Sequence, residues 1–147
     1  MERIEEGYSL EHHVEGEPRH LGAPLLRADL SKEIEELRQG AAWRVGGHNA
    51  KTLVKYPDLR VVLIAFKQGT TLGEHKTKGR ISIHTLEGHV LLKLGSQVVD
   101  LPKGCLLGLG PSVPHDVEAV EQSAILLTIA WPAAREEGDR DSTPTRL

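Results

Sequence analysis

The chain has 147 residues, 18 Lys plus Arg against 21 Asp plus Glu, and a single cysteine, Cys105. That length fits one domain with a core of its own, and a lone cysteine excludes an internal disulfide and suits a reducing compartment. Charges of both signs are scattered, leaving no basic footprint for nucleic acid or an anionic membrane; no stretch approaches the roughly 18 apolar residues of a membrane span, and the acidic start lacks the apolar run of a secretion signal, so a cytoplasmic location is expected.

In chain order, residues 1 to 22 are polar, with Glu, Gly and Pro throughout and with His12, His13 and His20, and read as a flexible arm. An arm that adds a strand to a partner subunit is the intermediate alternative. The folded domain is expected over residues 23–132. It opens with D-L-S-K-E-I-E-E-L-R-Q-G, where Ser31 can cap a helix, acidic residues suit its N-terminal half and Gly40 can end it. Leu30, Ile34, Leu37 and Ala41 share one face at helical spacing, which predicts one short amphipathic helix.

From Trp43 the period becomes that of strands. Candidate strands are Trp43–Val45, Lys51–Tyr56, Arg60–Phe66, Glu74–Thr77, Arg80–Leu86, His89–Leu94, Gln97–Leu101, Cys105–Leu109, His115–Ala119 and Ser123–Trp131, separated by turn signals such as Pro57-Asp58, Glu87-Gly88 and Pro102-Lys103-Gly104. Many short strands with tight turns indicate an antiparallel sandwich or barrel, an all-β fold with one short N-terminal helix. Residues 133–147 are charged, lack apolar periodicity and are expected to be disordered.

Two segments carry motifs. From Gly69 the chain reads G-T-T-L-G-E-H-K-T-K-G-R-I-S-I-H-T-L-E-G, and from Leu101 it reads L-P-K-G-C-L-L-G-L-G-P-S-V-P-H. The first resembles the G-x5-H-x-H-x3-E-x6-G motif of cupins, the second their G-x5-P-x-G-x2-H motif. Gly69, His75, Gly88, Gly104, Pro114 and His115 keep the pattern, whereas Thr77 and Ile81 stand where the family places a second histidine and a glutamate, and Gly110-Pro111-Ser112 replaces Pro-x-Gly. The resemblance covers about residues 43 to 131. It implies a small single-domain cupin of the RmlC-like group, a jelly-roll or double-stranded β-helix barrel that commonly forms a homodimer, with a degenerate metal motif.

Alternation along strands then places His75, Thr77, Ile81, Ile83, Thr85, Val90, Leu92, Leu94, His115 and Val117 inside, and Ser82, His84, Leu86, His89, Leu91 and Lys93 outside. A pocket for a small molecule is expected to be lined by Thr77, Ile81, Ile83, Thr85, Leu92, Leu109 and Val117, mostly apolar with a few convergent polar groups.

His75 and His115 are the candidate ligands for a divalent transition metal (Fe, Mn, Ni, Cu or Zn). A third ligand would come from Glu74, His48 or His84, since catalytic metals commonly take three protein ligands. The alternative is a metal-free pair of cavity histidines. Three functions follow: a metallocupin with oxygenase, isomerase or decarboxylase chemistry, a metal-free ligand-binding or sensory module, and an epimerase-like enzyme with His75 or His115 as base. The last needs an acid, and neither Tyr8 nor Tyr56 falls in a lining motif. Cys105 reads as a small strand residue, because no neighbouring base or cation is evident to activate it.

Overall fold

A computed structural model describes residues 20–132. The expected N-terminal arm up to residue 19 and the expected tail from residue 133 lie outside the described residues. Within them the chain forms helices α1 (Leu30–Arg38) and α2 (Ala41–Gly46), then eight strands: β1 (His48–Tyr56), β2 (Leu59–Phe66), β3 (Arg80–Glu87), β4 (His89–Leu94), β5 (Gln97–Pro102), β6 (Leu106–Leu109), β7 (Asp116–Ala119) and β8 (Ser123–Ala130). The strands pair antiparallel in two sheets, one in the order β1-β2-β8-β3-β6 and one in the order β5-β4-β7.

Alternating side chains fill the space between the sheets. Val62, Ile64 and Phe66, Ile81 and Ile83, and Ile125, Leu127 and Ile129 come from the larger sheet; Val90, Leu92, Leu101, Val117 and Ala119 come from the smaller one. The residues between them on β2 and β8, Leu63, Ala65 and Ala124, point the other way and meet Ile34 and Leu37 of α1. The near-continuous apolar run of β2 is thereby buried on both faces.

The helical expectation holds for α1, whose apolar residues face the sheet, but the cap is Asp29, not Ser31. Asp29 is extended and its carboxylate accepts from the Lys32 amide at 3.2 Å. Glu33 of α1 and Lys51 of β1 form an ion pair at 2.6 Å with both side chains largely buried, so the loss of either would strand a charge.

Trp43–Val45 is not a strand. It lies in the second helix, α2, which the strand-like Trp and Val concealed. Gly40 caps it in an extended conformation, Gly47 at φ 90° ends it, and Trp43 packs on the outer cluster under Lys67, whose ammonium lies 4.8 Å from its ring.

Glu74–Thr77 is not a regular strand either. Residues 69–77 run along the open edge of β7 as an irregular ladder: the Gly69 and Leu72 amides donate to the Ala119 and Val117 carbonyls, the Ala119 amide to Thr70, and the Ser112 amide to Thr77. At its centre His75 and His115 exchange two backbone hydrogen bonds, each 2.9 Å. Gly73 breaks the regularity at φ 92°, its amide held by the Asp116 carboxylate at 2.9 Å. The segment satisfies an edge that would otherwise be exposed.

Two motif glycines have different jobs. Gly69 adopts φ 87° with open space around it, whereas at Gly88, φ 77°, an added Cβ would collide with the Gln122 carbonyl and Ser123. Gly69→Ala is therefore expected to cost about 1–2 kcal/mol from backbone conformation alone, and Gly88→Ala about 3 kcal/mol or more because contact is added. Urea denaturation checks this, and equal losses would contradict it.

Candidate functional site

The ladder delivers both motif histidines to one place. Their rings lie 5.4 Å apart between centroids, inclined at 55°. His115 is 3% exposed and His75 half-buried. The Nδ1 of His115 lies 2.9 Å from the Val113 carbonyl oxygen. A carbonyl only accepts, so Nδ1 carries the proton, and Nε2 is the lone-pair position of the neutral ring. Burial holds the His75 imidazole below its ordinary value of 6.5; the neighbouring His115 lowers it further and Asp116 partly offsets this.

Thr77 is 4% exposed, and its hydroxyl oxygen accepts from the Gly79 amide at 3.3 Å, which leaves its hydrogen to offer. Ile81 stands in register between Leu109 of β6 and Ile129 of β8 and belongs to the inner core. Deeper residues are packed. Thr85 and Leu92 expose no surface, Ile83 is 1% exposed, and the Thr85 hydroxyl is spent on the Leu101 carbonyl at 3.1 Å. Val117 is buried in the same cluster, with Leu109 partly buried against it.

The two histidines weighed as third ligands, His48 and His84, lie elsewhere, as does the outward His89. His48 begins β1 opposite Phe66, its ring 6.4 Å from the phenyl group, with Nδ1 buried and without a hydrogen bond; burial lowers its pKa as well. His84 shares a row with Leu126 on the outer face of the larger sheet, and His89 pairs through Nε2 with Asp100 Oδ1 at 2.6 Å. Among the described residues no group of three His, Cys, Asp or Glu side chains is placed to hold a metal ion. Cys105 is half-buried against the inner core, its amide donating to the Pro102 carbonyl.

Two features escaped the sequence reading. The Val113 carbonyl that orients His115 has no side-chain signature. Ser112 adopts φ 63°, the only non-glycine residue at positive φ among those described. Its place in the motif is the one where cupins carry glycine, so that departure from the pattern was a visible sign of backbone strain.

No family model and no curated protein sequence matches this chain. Solved structures do. An RmlC-like cupin from Desulfovibrio desulfuricans is 24% identical, with 78% of this chain aligned to 97% of that one at a TM-score of 0.54. A variant of salicylate 1,2-dioxygenase from Pseudoaminobacter salicylatoxidans, 16% identical, aligns over 77% of this chain and 37% of its own at a TM-score of 0.67. An HTH_3 family transcriptional regulator from Vibrio cholerae, 22% identical, aligns over 58% of this chain and 52% of its own at 0.54. Two facing antiparallel sheets with a histidine delivered from each motif define a cupin barrel. The chain shares the fold of small RmlC-like cupins. None of the described helices is long and apolar enough to cross a membrane.

Ser112→Gly should relieve the positive φ and raise stability by up to about 1 kcal/mol, the strain released less the entropy glycine adds to the unfolded chain; thermal unfolding measures it, and a loss would contradict the assignment. The histidines predict a pH dependence. Because the folded pKa values of His48 and His75 are lowered, the unfolded chain takes up protons first, and stability falls as pH drops through about 6.5 toward the lower folded values. His75→Gln should flatten the fall in melting temperature between about pH 7 and about pH 5; an unchanged profile would contradict it.

Proposed function

We propose that this protein is a small-molecule-binding cupin that meets its ligand directly with His75, His115 and Thr77 at the barrel mouth, without a resident catalytic metal. The observation that carries the reading is the donor set: two imidazoles, with Thr77 and Ile81 at the motif positions of further ligands, and no third His, Cys, Asp or Glu grouped with them among the described residues. Two neutral ligands and an isoleucine do not fit a three-ligand catalytic metal. Ile81, Leu109 and Val117 would supply the apolar wall. Ile83, Thr85 and Leu92 would close the floor, which makes the pocket shallow and the ligand small.

The polar groups select the ligand's chemistry. With the His115 proton turned to Val113, Nε2 accepts; the Thr77 hydroxyl donates; and a lowered His75 pKa keeps that ring uncharged near neutrality. Such a site favours a neutral hydroxyl- or amine-bearing molecule over a carboxylate. A sensory role fits this reading, in keeping with the regulator among the fold neighbours. It includes a homodimer in which the exposed Leu106 on β6 or Val98 on β5 covers a sheet edge.

A second reading is favoured by one observation. An imidazole with Nδ1–H bound to a backbone carbonyl is the arrangement that metal-ligating histidines usually have. In that case His75 and His115 would hold a transition metal with solvent or substrate completing its shell, and the metal would supply Lewis-acid or oxygen-activating chemistry of the kind named for the dioxygenase neighbour.

Elemental mass spectrometry on untagged protein and on His75→Ala and His115→Ala variants separates the two readings. Substoichiometric metal, equal in all three, is expected. Near-stoichiometric metal lost in both variants would overturn the metal-free reading and establish the second.

A further inference from the structure

On the other side of the larger sheet from the histidines lies a cavity of about 240 Å³, bounded by segment 21–28, α1 and strands β1, β2 and β8. Its apolar wall includes Leu26, Leu30, Leu53, Val54 and Leu126. The wall has a specific origin. A register shift between Thr52 and Val54 marks a bulge at Leu53, so Leu53 and Val54, though consecutive, both pack on the outer cluster instead of alternating. Leu126 faces this cavity while its neighbour Leu127 faces the barrel interior, so one sheet thickness separates the two sites.

The charges at the cavity are unequal. Glu33 reaches its lining but is neutralised by Lys51 at 2.6 Å. Arg27 also contributes to the lining, is exposed, and has no ion-pair partner among the described residues. Among the described residues the result is an apolar slot with one guanidinium at its rim that no carboxylate pairs. A guanidinium pairs with carboxylate oxygens through charge-assisted, often bidentate hydrogen bonds. The volume falls just below the roughly 300–1,000 Å³ of pockets for drug-sized ligands, which limits the occupant to a short chain or single ring.

We propose that this cavity is a second ligand site, taking a small amphipathic monocarboxylate with its apolar body against Leu53, Val54 and Leu126 and its carboxylate on Arg27. The site is independent of the barrel mouth and of whether metal is held there.

Octanoate and 1-octanol serve as probes of equal chain length, titrated into the full chain and its Arg27→Gln variant and followed by methyl NMR. Because Arg27 is exposed, the substitution leaves the fold intact, which a matching melting temperature verifies. Octanoate should saturably shift the Leu53, Val54 and Leu126 methyl signals, and Arg27→Gln should weaken octanoate about tenfold while leaving octanol unchanged. Several results would overturn the proposal: no saturable shift, shifts at Ile81, Leu109 and Val117 instead, or equal octanoate affinity in the variant. Contacts from Ile4, Tyr8 or Leu10 to the Leu126 methyls would do so too, since the chain's own first residues would then fill the slot.

Discussion

The candidate site depends on the paired backbone hydrogen bonds between His75 and His115. A histidine ring on an irregular loop would sample many positions, and ordering it would have to be met from binding energy. Here the loop is laced to β7 at Gly69, Thr70 and Leu72 and to the residues just before it, His115 and Ser112, at His75 and Thr77, so the backbone that carries both imidazoles is fixed before any ligand arrives. The Val113 carbonyl adds the second constraint by choosing the tautomer of His115. Ser112, held at φ 63° in the same turn, is where that order is maintained against local preference.

The larger sheet is the other organising element, because both of its faces are used. Its inner face meets the smaller sheet and closes the barrel under the histidines. Its outer face is covered by α1, positioned by Ile34, Leu37 and the Glu33–Lys51 pair, and the cover stops short where the β1 bulge leaves an apolar slot. One sheet thus separates two environments of different character, a pair of imidazoles within and a guanidinium beside aliphatic side chains without.

The sequence made the fold legible because strand alternation and turn residues dominate it. Ile81 and Ile83 inside with His84 outside, or Leu126 and Leu127 on opposite faces, follow from period two alone. The misreadings occurred where tertiary context outweighed local preference. Trp43 and Val45 favour strands intrinsically, yet two flanking glycines and the packing of Trp43 make that run a helix. Glu74–Thr77 alternates correctly, but Gly73 and its hold on Asp116 distort the ladder. At the site, the residues lost from the metal motif were readable as letters, Thr77 and Ile81. The separation of His48 from the histidine pair was not, because it depends on how strands distant in sequence pack.

The proposal that the pair contacts its ligand directly, without a metal, is tested most directly by side-chain nitrogen NMR of the histidines at alkaline pH, where both rings are neutral, before and after addition of a strong chelator. His115 protonated on Nδ1, with both rings unmoved by the chelator, is the expected result. His115 protonated on Nε2, or signals of His75 and His115 that change together when metal is stripped away, would contradict it.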